Sequence, residues 1–514
     1  MQSLKEFAMC TKRTLTIKDT YAIRQNAFAL GIDERAMVEG AGFALSDAIA
    51  HSHKGKRILF VCGTGGKGAL GLSAARHMMA AQDVSAVLLG DPDQVRNRST
   101  RLNYRLLSAA LPVRSVAEGS TAELQRDLKR AEVVVDAIIG CGLKGRMSSF
   151  LSGIISMINR SGAHVISIDV PSGIDADTGM PNVSYLKADH TLSVHKLKQG
   201  VERSKLVGDT VVVDIGIPIS AELIAGPGDI YLATEPRLMQ SSKFTNGNVL
   251  VIGGGEEYHG APLLSAFAAE AALAALRTGA GYVTIAAPGP AAEAAKRLSA
   301  ELVVKSLDWG STVEKTAAAI SSIRHDVLVI GPGMDENEVT DRHVSAIVKS
   351  EKARGNAIIV DATAIKTVAR HKNLLGANAI LTPHEGEFKR LSGKDLKGCT
   401  LGERARIALG FAKSHGFTLV LKGHETIITD GDLLKINMAA TPALAKMGSG
   451  DVLSGIVAAY AALHKNQFEC AVAGVYAHSR IGDLLYAEKG YHITANDIID
   501  GIPDALKLFD VLRE

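Results

Sequence analysis

Two rhythms alternate along this chain: short runs of consecutive apolar residues, rich in Val and Ile, and longer Ala- and Leu-rich stretches with helical spacing. An unbroken apolar run suits a strand covered on both faces, and the intervening helices supply the cover. The pattern therefore predicts an α/β fold layered around largely parallel sheets. In the first half the predicted strands are 57–62, 85–89, 133–139, 165–170 and 211–215. In the second half they are 249–252, 282–286, 327–330, 357–360, 379–381 and 418–421. Most end in Gly, Pro or Asp, at the strand end where α/β folds hold their ligands.

A length of 514 residues exceeds one ordinary core, so two large domains are expected. Residues 216–248 hold Pro218, Pro227 and Pro236 with Gly226 and Gly228, a density that punctuates elements rather than building them. The boundary is placed near residue 225, giving domains 1–225 and 226–514. Composition adds only exclusions. Hydrophobic content of 46% with 22% charged residues is globular, and a net charge of +3 gives no reason to expect nucleic acid or a membrane as partner. Cys10, Cys62, Cys141, Cys399 and Cys470 are scattered and never spaced as CxxC, which points to a reducing compartment. Lys5, Glu6, Lys12 and Arg13 break the start of the chain, and Glu270 and Arg277 interrupt its most apolar stretch, 266–287. A cytoplasmic location is expected, with homo-oligomerisation left open.

Candidate chemistry begins where strand 57–62 runs into Gly63-Thr64-Gly65-Gly66-Lys67-Gly68 and then a helical pattern. Bare glycines at a helix start admit a pyrophosphate, and Asp91 after the next strand is a candidate ribose-binding acid. Lys67 is followed by Gly, so this is not a P-loop. Asp136 closes one strand before a second glycine loop, Gly140 to Gly145, and Asp169 closes another before Pro171-Ser172-Gly173. Carboxylates so placed can hold a cation or move a proton.

In the second half, Gly448-Ser449-Gly450-Asp451 opens an apolar helix. Exposed backbone N–H groups there make a cup for a transferring phosphoryl group, and Asp451 behind it can take a proton from an attacking hydroxyl. Lys422-Gly423-His424-Glu425-Thr426 at a strand end suits contacts to a nucleotide. Glu387 can orient magnesium through water, and His384, with no second ligand nearby at metal spacing, reads as a substrate contact.

These segments carry a specific resemblance. Residues 14–220 resemble NAD(P)H-hydrate epimerase domains through Met37-Val38-Glu39-Gly40-Ala41-Gly42, the loop at 62–72, Val135-Asp136-Ala137, Gly140 to Gly145 and Asp169-Val170-Pro171-Ser172-Gly173. Residues 240–510 resemble ADP-dependent NAD(P)H-hydrate dehydratase domains through Val251-Ile252-Gly253-Gly254, His259-Gly260-Ala261-Pro262, Gly331-Pro332-Gly333, Thr382 to Glu387, Lys422-Gly423 and Gly448 to Asp451. The resemblance implies a Rossmann-like three-layer domain followed by a ribokinase-like one, acting on hydrated NADH and NADPH with ADP (or ATP), Mg2+ and K+. It implies catalytic Asp169, substrate contacts along Gly140, Cys141, Gly142, Leu143, Lys144, Gly145 and Arg146, and potassium held by Asp136 and Ser172. In the second half it implies substrate contacts at Ala261, Gly333, His384 and Asp451, and nucleotide contacts at Lys422 to Thr426 and Gly450.

The first glycine loop departs from its family. Where the family has two asparagines and later an aspartate, this chain has Gly66, Lys67 and Leu70. An ammonium can satisfy the oxygens that a cation would, so Lys67 is a candidate to stand in the cation's place. Two alternatives remain: a ribokinase-like small-molecule kinase, and an active dehydratase fused to a degenerate dinucleotide-binding module.

Overall fold

In the computed structural model, which describes residues 2–118, 121–142, 145–255, 261–438 and 441–513, the chain divides into two units. The first, Lys12–Pro218, is built on seven strands: β1 (Arg57–Cys62), β2 (Asp83–Leu89), β3 (Val113–Val116), β4 (Val133–Ala137), β5 (His164–Ile168), β6 (His190–Val194) and β7 (Asp209–Val213). They lie in the order β3-β2-β1-β4-β5-β6-β7, every neighbouring pair parallel. Side-chain alternation splits the core between the faces. Ile58, Phe60, Val133 and Val135 pack with Leu45 and Leu72 from helices α1 (Glu34–Ser52) and α2 (Gly66–Met78). Leu59, Val61 and Val134 pack on the other side with Leu124 and Ile154. The order reverses between β1 and β4, so the loops after those strands diverge and leave a crevice.

The second unit is built on a nine-stranded sheet: β8 (Asn248–Ile252), β9 (Tyr282–Pro288), β10 (Val303–Leu307), β11 (Val327–Ile330), β12 (Ala357–Val360), β13 (Ala379–Leu381), β14 (Thr418–Leu421), β15 (Thr426–Thr429) and β16 (Leu434–Asn437). Their order is β10-β9-β8-β11-β12-β13-β14-β15-β16, parallel as far as β14 and antiparallel beyond it. Here the reversal lies between β8 and β11. Helices α3 (Ala261–Thr278), α4 (Glu385–Ser392), α5 (Ser449–Ala461) and α6 (Gln467–Lys489) follow. Gly455 lets α5 approach α3 so closely that a Cβ would strike the Ala271 carbonyl. Among the described residues, no helix is long and apolar enough to cross a membrane.

The α/β expectation agrees with both sheets, but the division of the chain differs from the one read above. The units part at 218/219, and residues 1–11 belong to the second unit. Leu4 and Phe7 join the core of Leu223 and Ile436, and Glu6 pairs with Arg406. Pro227 had suggested a linker, yet it starts an ordered helix, Pro227–Ala233, where its missing N–H costs nothing. The pattern also passed over β3, β6, β10, β15 and β16. Polar residues interrupt the first three: Arg114 and Ser115, Thr191 and Ser193, Lys305 and Ser306. In β6 the buried hydroxyls are satisfied locally, Thr191 by the Val207 carbonyl and Ser193 by that of Lys196.

Candidate active sites

The turn after β1 closes tightly on itself. A Cβ at Gly63 would meet the Ile138 carbonyl and one at Gly68 that of Gly63, whereas Gly65 and Gly66 face open space. Gly65 caps α2 with no side chain, so the positive end of the helix opens toward a cavity of ≈ 530 Å³. Gly140, Cys141, Gly142, Asp169 and Lys198 line the same cavity.

Lys67, early in α2, has a side chain only 4% exposed. Its Nζ donates to Asp136 Oδ2 at 2.7 Å and the Val170 carbonyl at 2.8 Å. Ser167 Oγ, Ser172 Oγ and the Ile139 carbonyl follow at 3.2, 3.3 and 3.4 Å. Asp136 is fully buried and also accepts from the Ser167 hydroxyl, the Ser172 hydroxyl and the Ser172 and Ile138 N–H groups. Burial pulls the Lys67 ammonium below the ordinary lysine value, and Asp136 pulls it back. Asp136 and Ser172, assigned to potassium by resemblance, thus already surround a cation. A potassium ion does not fit this arrangement as built. Lys67→Met strands Asp136 as a buried unpaired charge, and chemical denaturation should record a loss of about 3–5 kcal/mol.

Asp169, just past β5, adopts a left-handed backbone with φ 66°, and His195 beside the cavity does the same. Such strain in non-glycine residues gathers at functional sites. Asp169 Oδ1 accepts from Lys198 Nζ at 2.5 Å and from the Val194 N–H at 3.1 Å. Lys198 is buried and also donates to the Val194 and Lys196 carbonyls. Cys141 Sγ lies 3.7 Å from Asp169 Oδ2, and burial, then Asp169, pushes its thiol up to about 12. It remains a protonated donor.

In the second unit, Gly448 precedes α5 with φ 83°, and a Cβ there would collide with the Glu270 carboxylate. A Cβ at Gly450 would sit 3.4 Å from Lys422 Nζ, an ordinary contact. Lys422 follows β14 and pairs with Asp361 Oδ1 at 3.0 Å, while Ser454 donates to Asp361 Oδ2 at 2.6 Å. Burial alone would raise the Asp361 carboxyl, but Lys422 holds it below the ordinary value. The Lys422 ammonium is raised despite its burial, chiefly by Asp361.

Asp451 is different. Burial, then Asp361 and Glu270, push it up to about 8 against the pull of Lys422. Glu270 is itself pushed by burial to about 7, and its Oε2 has no hydrogen-bond partner among the described residues. A carboxylate with so high a proton affinity, at a glycine-cradled helix start beside a fixed ammonium, is equipped to take a hydroxyl proton.

Several predicted residues have structural duties as well. His384 caps α4 through Nδ1, and Glu387 Oε2 returns a bond to the His384 N–H at 2.9 Å. The Lys422 N–H reaches the Pro383 carbonyl at 2.8 Å, tying these two loops together. Arg404 bridges Glu425 and Glu385, Thr426 is buried against Gly423, and His424 is exposed. Gly333 is left-handed, φ 65°, after β11, and Ala261 begins α3. Gly145 accepts from Asn182, and Arg146 is exposed. Leu143, Lys144, His259 and Gly260 lie outside the described residues. Asp91 is exposed and caps a single turn by accepting the Asp93 N–H, which accounts for its place after β2.

Sequence reasoning gave no role to Lys198, Asp361, Glu270 or Arg404. Asp361 closes an apolar strand as Asp136 and Asp169 do, and the same rule would have found it. The others carry no local pattern.

Comparison with known families matches residues 249–504 to NAD(P)H-hydrate dehydratase and residues 34–200 to the YjeF-related protein N-terminus. The bifunctional NAD(P)H-hydrate repair enzyme of Pyrobaculum aerophilum is 36% identical over 506 residues, covering 96% of this chain and 98% of that one. Its counterpart from Hyperthermus butylicus is 33% identical, covering 96% and 92%. Among solved structures, an ADP/ATP-dependent NAD(P)H-hydrate dehydratase of Bacillus subtilis, co-crystallized with ATP/Mg2+, is 25% identical. It covers 56% of this chain and 99% of its own, with a TM-score of 0.48.

Proposed function

The chain belongs to the bifunctional NAD(P)H-hydrate repair enzymes, and on that premise we propose that its two units perform successive reactions on hydrated NADH and NADPH. The first unit interconverts the R and S hydrates at C6 of the nicotinamide ring. The second dehydrates the S form at the expense of ADP or ATP. The reading fits a cytoplasmic setting, with hydrated dinucleotides and adenine nucleotide as the partners.

The observation that carries the reading is Asp451, poised beside Lys422 at the start of α5 with its proton affinity raised. Hydroxide is a poor leaving group, so the C6 oxygen must first be activated. Asp451 takes the hydroxyl proton as that oxygen attacks the terminal phosphorus, and the bond from phosphorus to the departing nucleotide breaks. The ring-nitrogen lone pair then expels phosphate from C6, and loss of a C5 proton restores NADH or NADPH. Lys422, held by Asp361, faces the phosphate charge from beside Gly450. Bound magnesium would neutralise nucleotide phosphates, and we assign Glu387 to its water shell, since such a cation keeps most of its waters. In the first unit, Asp169 carries a proton to and from the C6 oxygen. Departure as water leaves a planar C6=N1 bond, and water returning from the other face inverts the centre.

Supplying pure S hydrate with ADP or ATP tests this. Reduced nicotinamide absorbance should return with one orthophosphate per turnover. A small-molecule kinase would instead retain a phosphorylated product and release no NADH. Gly450→Ala should leave the unit folded, because its Cβ has room against the protein, yet raise the KM for nucleotide by intruding on the phosphate. An unchanged KM and kcat would count against the cup.

A further inference from the structure

We propose that Lys67 is a tethered counter-ion that replaces a monovalent metal cation in the first unit, so that epimerisation by this chain needs no potassium. The proposal rests on the epimerase reading of that unit. Five oxygens converge on one point from the loops after β4 and β5 and from the ends of those strands: Asp136 Oδ2, Ser167 Oγ, Ser172 Oγ and the carbonyls of Ile139 and Val170. Both serine hydroxyls give their hydrogens to Asp136, at 2.8 and 2.6 Å, and so turn lone pairs toward Nζ. A shell made of acceptors holds a cation. Here the chain supplies it from the loop after β1.

Charge balance agrees. One buried carboxylate, Asp136, faces one buried ammonium. A second cation in the same shell would set two positive charges against that carboxylate away from water. The neighbouring position agrees as well. At Gly66 an added Cβ meets nothing within 4 Å, so the fold has room for the family's asparagine and does without it. An asparagine is missing and a cation is present, at adjacent residues. Through Ile139 and Val170 the ammonium ties down the segments that lead to Cys141 and Asp169. Lys67 is a positioning residue that acts through them.

The test compares the full chain in potassium chloride and in tetramethylammonium chloride, reading both epimerisation of the R hydrate and thermal melting. The unmodified chain should show the same rate and melting in both salts. Lys67→Ala in tetramethylammonium should lose roughly 10- to 100-fold in rate, the usual penalty for removing a group that orients a site. Potassium or ammonium chloride should restore that rate and raise the melting temperature of the variant by several degrees. A potassium requirement in the unmodified chain overturns the proposal. So does a Lys67→Ala variant that is fully active in tetramethylammonium, or a folded one that neither cation rescues nor stabilises. If the unmodified chain does not epimerise at all, the epimerase reading fails on its own. Cation-selective stabilisation of Lys67→Ala then decides the cage, its presence supporting the proposal and its absence overturning it.

Discussion

Asp451→Asn is expected to lower the dehydratase rate by roughly 100-fold or more while leaving nucleotide binding in place. Asparagine keeps the shape and removes the base, and Lys422 and Gly450, the proposed nucleotide contacts, are untouched. The pH profile should carry the same information. Asp451 acts in its ionised form, so kcat/KM of the unmodified chain should rise with pH and level off above about 8. Stability should move the opposite way. Asp451 binds its proton more tightly when folded, from an ordinary 3.8 to about 8. The stabilisation from its neutral form is full below the unfolded value and is lost as pH rises through about 8. Asp451→Asn escapes that loss and should melt above the unmodified chain at alkaline pH. A variant that is inactive and less stable there would mean that the carboxylate is a structural anchor.

The second large effect is at Asp169. Asp169→Asn should reduce epimerisation to the spontaneous rate, with dehydration of the S hydrate unchanged. Asparagine tolerates the left-handed backbone that Asp169 adopts, so the backbone should hold and the carboxylate alone is lost. Lys198 then loses the opposite charge it pairs with at 2.5 Å but keeps an amide oxygen there and the carbonyls of Val194 and Lys196. Near-normal epimerisation by a folded Asp169→Asn would remove Asp169 from the chemistry.

Much of this is legible in the sequence. Strands buried on both faces, such as Val327–Ile330 and Ala357–Val360, announce themselves as unbroken apolar runs. Edge strands such as Val113–Val116 do not, because solvent on one side permits Arg114 and Ser115. The site residues that could be named were those whose position in the pattern is itself chemical: glycines at helix starts, acids at strand ends. Lys198 and Glu270 were invisible because their roles depend on what folding brings beside them. Asp169 meets Lys198 across twenty-nine residues, and Glu270 meets the start of α5 from another helix. The domain boundary slipped for a related reason. Leu4 and Phe7 are ordinary apolar residues until the core that receives them exists.

The central claim is that both units are active on one substrate, and pure R hydrate tests it most directly. With the full chain and ADP or ATP, all of it should return as NADH or NADPH, faster than R and S interconvert unaided, with one phosphate released per molecule. Recovery held to the spontaneous rate of interconversion would contradict the account and leave the first unit as a binding module beside a working dehydratase.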